Sequence, residues 1–117
     1  MAIYLLYRRN FRLRRAHLAG IPNFNGTQEL DAGSHLVAFD MDGKRLAFSH
    51  PTGVRVFAFA ELAHIEWTWN VRRNGSKTDN YLNFRLNNIE TPLVKVRCNT
   101  AGQAEHWLAK IQAILAS

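Results

Sequence analysis

From residue 35 onward, hydrophobic and polar positions alternate in short runs, the period-two signature of half-buried strands. Strands are predicted at 35–39, 45–49, 54–59, 64–71, 81–87 and 93–98. Turn chemistry separates them: Asp42-Gly43, Pro51-Thr52-Gly53, Asn74-Gly75-Ser76 and the stretch 88–92. Strands this close together, with no helix between them, predict an antiparallel meander rather than βαβ units. The expected interruption is one helical turn at Ala60-Glu61-Leu62.

The two ends of the chain switch to a helical period. Projected at about 100° per residue, residues 3–18 place Arg8, Arg9, Arg12 and Arg15 on one arc. Ile3, Tyr4, Leu6, Tyr7, Phe11, Leu13 and Leu18 fall on the other, and Leu5 and Arg14 break the pattern. Gly20 and Pro22 predict the end of this helix, because proline cannot continue it and restricts the residue before it. At the other end, Thr100-Ala101-Gly102-Gln103 fits a capping box. Ala104, Trp107, Leu108, Ile111, Ile114 and Leu115 then share one face of a closing helix, whose apolar stripe needs a sheet to cover. The expected class is therefore α+β, with a basic N-terminal helix over residues 1–20, a connector over 21–34 and a domain over 35–117. The connector is rich in Gly, Asn, Asp and Ser and has room for one short strand at 27–30, which would bring the strand count from six to seven.

A length of 117 residues suits one compact domain with one core. The net charge of +6 changes the picture only through its distribution. Arg8, Arg9, Arg12, Arg14 and Arg15 precede the first acidic residue, Glu29, whereas from Ile21 onward ten Lys and Arg face nine Asp and Glu. The basicity belongs to an arm and not to a domain-wide nucleic-acid surface. No run approaches the roughly 20 apolar residues of a membrane span. Residues 2–7 followed by the arginines nevertheless read like the end of a membrane helix entering a cytoplasmic basic flank, and a longer parent chain would make them an anchor. The lone Cys98 shares a strand face with Val94 and Val96, reads as a buried apolar residue and points to a reducing compartment.

Chemistry-bearing patterns are sparse. His64 and Glu66 alternate on one strand face, but no nucleophile or third group accompanies them, and a solvated polar pair explains them. The remaining histidines lack metal-ligand spacing, and phosphate-binding, dinucleotide and nucleophile-elbow motifs are missing from the sequence. The chain reads as a non-enzyme without cofactor or metal site. On the opposite face of the strand stand Ile65, Trp67, Trp69 and Val71, which serve either as core or, where exposed, as a partner anchor. Arg72, Arg73 and Lys77 bring three positive charges to the adjoining loop, a candidate partner-binding loop.

A short-stranded meander sealed by one C-terminal amphipathic helix resembles the pleckstrin-homology-like (PH-like) fold over roughly residues 35–115. The run from Val56 through Glu61-Leu62 to Ile65-Glu66-Trp67 is similar to a strand, turn and strand segment of small bacterial PH-like domains, and Trp107 to the tryptophan of their closing helix. The resemblance implies a partly open barrel of six or seven strands and a binding module for a protein, peptide or phosphoinositide. Specific headgroup recognition is disfavoured, because the loop Asp40-Met41-Asp42-Gly43-Lys44-Arg45 sets two carboxylates beside two bases. The expected function is a binding or scaffold module for a protein partner at the cytoplasmic membrane surface, peripheral or anchored at its inner face. Arg8, Arg9, Arg12, Arg14 and Arg15 would attract the anionic surface, with Tyr4, Tyr7 and Phe11 inserting or packing. The alternatives are a soluble inhibitor or immunity-type module, whose N-terminal helix packs on the sheet or forms a homo-oligomer, and a weak nucleic-acid binder. Nucleic acid is the disfavoured partner, since the sheet is almost neutral.

Overall fold

A computed structural model of the chain describes residues 2–116, with side chains from Arg8 onward. The protein is α+β: seven strands form two antiparallel sheets, of order β1-β2-β3-β4 and β5-β6-β7, with a helix at each end of the chain. The chain divides into two compact units. The first runs to Asp31 and resumes over His35–Ala58; the second takes Ala32–Ser34 and the described residues from Phe59.

The first unit holds α1 (Ala2–Ala19), β1 (Gln28–Asp31), β2 (Leu36–Asp40), β3 (Arg45–His50) and β4 (Gly53–Ala58). Helix α1 stops where Gly20 donates to the Ala16 and His17 carbonyls, ahead of Pro22. The connector does supply a strand, β1, so the total is seven. Register places Leu36, Ala38 and Asp40 of β2 beside Ser49, Ala47 and Arg45 of β3 on one face. The directly opposed Ala38 and Ala47, both buried, leave room for a backbone to approach, and α1 lies across β2, β3 and β4. There the Ser49 hydroxyl donates to the Arg14 carbonyl at 2.7 Å. The other face carries Leu30, Val37, Phe39, Leu46, Phe48 and Phe57, all buried, with the last two rings meeting edge to face at 5.8 Å. Burial on both faces explains why β2 contains only one polar residue.

That residue, Asp40, organises the β2–β3 corner. Its carboxylate accepts from the Gly43 amide at 2.9 Å and the Asn25 amide at 3.3 Å, and lies 3.5 Å from the Arg45 guanidinium. The Gly43 amide above all, then the Asn25 amide and Arg45, hold its pKa below the ordinary value against the opposing effect of desolvation. Arg45 also donates to the Pro22 and Asn23 carbonyls, so this corner ties down the connector.

His35 lies beside the β3–β4 turn, its ring 5.4 Å from that of His50. Burial first, then His50 and Arg14, push its pKa down to about 4. The native state therefore keeps His35 neutral while the unfolded chain protonates near 6.5. Its contribution is whole above that value, falls as the pH drops from about 6.5 to about 4, and changes no further below. After discounting for partial exposure, a loss of on the order of 2 kcal/mol is expected over this window. Urea unfolding at neutral pH and at the acid end should show the chain losing that much more stability than the His35→Gln variant. Equal losses in the two proteins would remove His35 as the cause.

The second unit holds a single 3-10 turn (Phe59–Glu61), β5 (Leu62–Val71), β6 (Lys77–Leu86), β7 (Leu93–Arg97) and α2 (Ala101–Ala116). Ile65, Leu82, Phe84 and Val96 share one sheet face and are buried. Helix α2 lies against β5 and β6, with Ala104, Ile111 and Ile114 buried. Its start is the expected capping box, with one change: Thr100 Oγ1 accepts from the Gln103 amide at 3.0 Å, whereas the Gln103 side chain reaches back to the Asn99 amide at 2.8 Å. Cys98 is buried as expected, and burial raises its thiol pKa to about 11.

Candidate functional site

The five arginines of α1 separate into two groups. Arg14 is 3% exposed, with its guanidinium 3.8 Å from Asp31. Arg15 donates to Glu29 at 2.7 Å and lies over the Phe11 ring at 5.4 Å. Glu29 and Asp31 point to the same face of β1, the face α1 covers, so these two cations are occupied in docking the helix. Arg8, Arg9 and Arg12 are exposed, and Phe11 is half-buried. The side chains of Tyr4 and Tyr7 lie outside the described residues. The arginine that broke the amphipathic pattern is thus the buried one, because a charge on the apolar arc must meet a counter-charge where the helix docks.

The second cluster is built on the β5–β6 hairpin. Its tip is tight: Gly75, at φ 83°, donates to the Arg72 carbonyl, Arg72 donates to that of Ser76, and the Asn74 side chain accepts from the Ser76 amide. Ile65, Trp67, Trp69 and Val71 alternate along β5, and their burial falls steadily toward the tip. Ile65 is 6% exposed, Trp67 half-buried, Trp69 40% and Val71 65% exposed. The tryptophans are therefore neither wholly core nor wholly surface. Their rings meet at 4.5 Å with a tilt of 47°, and Lys77 Nζ sits 4.6 Å from one ring and 4.5 Å from the other. Trp67 is fixed from behind, its indole N–H donating to the buried Asn80 side chain at 3.1 Å. The result is a rigid aromatic pair that holds a cation and leaves Trp69 open.

Beside the pair lies a cleft of about 730 Å³, whose walls include Lys77, Asp79, Asn80, Arg97, Asn99 and Thr100. Arg97 and Asp79 face each other at 3.5 Å, both with side chains about half exposed. Such a pair is weak enough to rearrange around a ligand. Arg72 and Arg73 stand exposed at the tip. Among the described residues, no acidic side chain pairs with Arg72, Arg73 or Lys77.

His64 and Glu66 occupy the outer face of β5, exposed and half-buried respectively, 3.9 Å apart. Glu66 also accepts from Arg85 at 3.1 Å, and Lys95 lies over the Tyr81 ring at 4.8 Å. These groups form cross-strand pairs on a solvated face. Among the described residues, no group of three or more His, Cys, Asp or Glu is placed to hold a metal, and no helix is long and apolar enough to cross a membrane. The aromatic pair and the basic loop were both legible in the sequence. The cleft was not, since its walls come from strands and a helix start far apart in the chain. No family model matches the chain, and neither does any curated protein or solved structure compared with it.

Proposed function

We propose that the chain is a non-enzymatic, PH-like binding module that docks a protein partner on the end of the β5–β6 hairpin. The observation that carries this reading is the exposure of Trp69 and Val71 beside Arg72, Arg73 and Lys77. A stiff aromatic surface next to exposed cations has the make-up of an interface hot spot. The PH-like part is supported by seven antiparallel strands followed by a terminal helix, with β1 providing the strand that the run from residue 35 lacked. The test is proximity labelling in cells: the double variant Trp69→Ser, Val71→Ser should lose the partners captured by the unsubstituted chain. An unchanged set of captured proteins would overturn the reading.

The module acts at the cytoplasmic face of an anionic membrane, held there by Arg8, Arg9 and Arg12. At about 1 kcal/mol per arginine, the three supply about a hundredfold in binding. Co-sedimentation with anionic vesicles should therefore fall by about that factor in the triple variant Arg8→Glu, Arg9→Glu, Arg12→Glu. Neutral vesicles should bind neither protein. A second reading, a soluble inhibitor or immunity-type module, is favoured by the way Arg14 and Arg15 dock α1 on the sheet. That reading is the one left if charge reversal leaves vesicle binding unchanged.

A further inference from the structure

We infer that the partner presents an acidic segment bearing an aromatic or large apolar residue, and that this segment lies along the hairpin from Trp69 into the cleft beside Arg97. The inference rests on the protein-docking reading above and names the chemistry of the partner. Three observations carry it. First, the stretch from Val71 to Thr78 contains Arg72, Arg73 and Lys77 and no acidic residue, so the hairpin end has an uncompensated positive field. Cations that pair with no neighbouring carboxylate keep their full attraction for an incoming one.

Second, the aromatic pair already holds an ammonium, that of Lys77, at 4.5 and 4.6 Å. Its π faces are therefore engaged by a cation, and the remaining open surface of Trp69 and Val71 is apolar. A basic ligand would compete with Lys77 for the rings and meet repulsion from Arg72 and Arg73, whereas an apolar side chain flanked by carboxylates meets neither obstacle. Third, the cleft continues the positive field inward. Lys77 and Arg97 both line it, and Asp79, the acidic residue among its walls, is already drawn to Arg97 and to the Asn70 side chain at 3.0 Å. A ligand carboxylate entering there takes a place beside Lys77 and Arg97 that Asp79 fills only in part.

An RNA or DNA strand would also be attracted by the cations and could stack on Trp69. The observations favour the peptide. Lys77 already lies over both rings, and among the described residues of the outer sheet face Arg85 and Arg97 are paired with Glu66 and Asp79, leaving Lys95, over the Tyr81 ring, as the cation there without a carboxylate.

The probe is a short synthetic peptide of glutamate and aspartate around one phenylalanine, compared with the same peptide in glutamine and asparagine, with binding followed by tryptophan fluorescence of the full chain. The acidic peptide is expected to bind at least about tenfold more tightly than its neutral counterpart, and to weaken as salt rises to physiological strength. The double variant Arg72→Glu, Arg73→Glu, which alters only exposed side chains, should lose that advantage while melting as the unsubstituted chain does, and Arg97→Gln should reduce it. Equal binding of the two peptides overturns the acidic assignment and leaves the docking reading standing. Failure of both peptides to bind, together with unchanged labelling of the Trp69→Ser, Val71→Ser protein, overturns both. Tighter binding of a single-stranded oligothymidine, lost in the same arginine variant, would replace the peptide with a nucleic acid.

Discussion

Replacing Arg14 with glutamate is expected to lower stability by about 3 kcal/mol or more, whereas the same change at Arg9 or Arg12 should stay within about 0.5 kcal/mol. The difference lies in where α1 puts each residue. Arg14 is 3% exposed and its guanidinium faces Asp31, so a carboxylate there is both desolvated and beside a like charge. Arg9 and Arg12 are exposed. Only the Arg14 side of this pair is buried, since the Asp31 side chain is 43% exposed, so the cost arises from burying the new carboxylate next to a like charge. Arg14→Met, which keeps much of the volume without the charge, should therefore be milder than Arg14→Glu. Urea unfolding of the four single variants decides the matter. If Arg14→Glu and Arg12→Glu prove equally mild, the arginines act alike and α1 does not dock through Arg14. The same series separates fold from surface binding, since loss of vesicle association in Arg14→Glu alone would reflect unfolding and not electrostatics.

Much of this architecture is legible in the sequence. The period-two runs located six strands within a few residues, and the Thr100 to Gln103 motif marked the start of α2, because both patterns arise from local backbone geometry and a half-buried surface. Local patterning failed where partners lie far apart. Strand β6 begins at Lys77 and not at 81: residues 77–80 are polar and show no alternation, but the tight turn at Gly75 forces them to pair with β5. The strand absorbs this through a bulge, with Asp79 at φ 50°. Strand β1, allowed at 27–30 within the connector, forms over Gln28–Asp31, though the local signal for it is weak. Its only buried residue, Leu30, gives too short a pattern, and the strand exists because Thr27 and its successors bond to β2. The candidate site divides the same way. Trp67, Trp69, Arg72, Arg73 and Lys77 could be singled out in sequence, but the distance from Lys77 to both rings and the cleft reaching Arg97 depend on pairing across the sheet.

The basic arm shows why a charge count alone misleads. Arg8 to Arg15 looks like one electrostatic unit on a helical projection, yet two of its five cations are spent on β1 carboxylates that lie fourteen or more residues away. The arginines whose side chains stand exposed are Arg8, Arg9 and Arg12, and it is on these that the proposed attraction to an anionic surface would rest.

Phe84→Ala should cost about 3 to 5 kcal/mol, a large fraction of the roughly 5 to 15 kcal/mol by which folded domains are stable. Phe84 lies on β6, the middle strand of its sheet, fully buried and opposite Ile65 on one side and Val94 on the other. With neighbours fixed on both flanks by the ladder, the site cannot collapse to fill the space of a lost ring, and unfilled volume adds to the lost transfer energy. The consequence reaches the candidate site. Trp67 stands on the same face as Phe84, opposite Leu82, and Asn80, which fixes the Trp67 indole, is on the same strand as Phe84. Loosening β6 should therefore free the tryptophan pair, broadening and red-shifting its fluorescence at denaturant concentrations where the unsubstituted chain is still native. Ile89→Ala is the fitting control: that side chain is wholly exposed in the β6–β7 turn, and its removal should leave both the unfolding midpoint and the spectrum in place. A Phe84→Ala protein that unfolds with the midpoint of the unsubstituted chain would mean that the core of this sheet lies elsewhere than on the face of Ile65, Leu82, Phe84 and Val96.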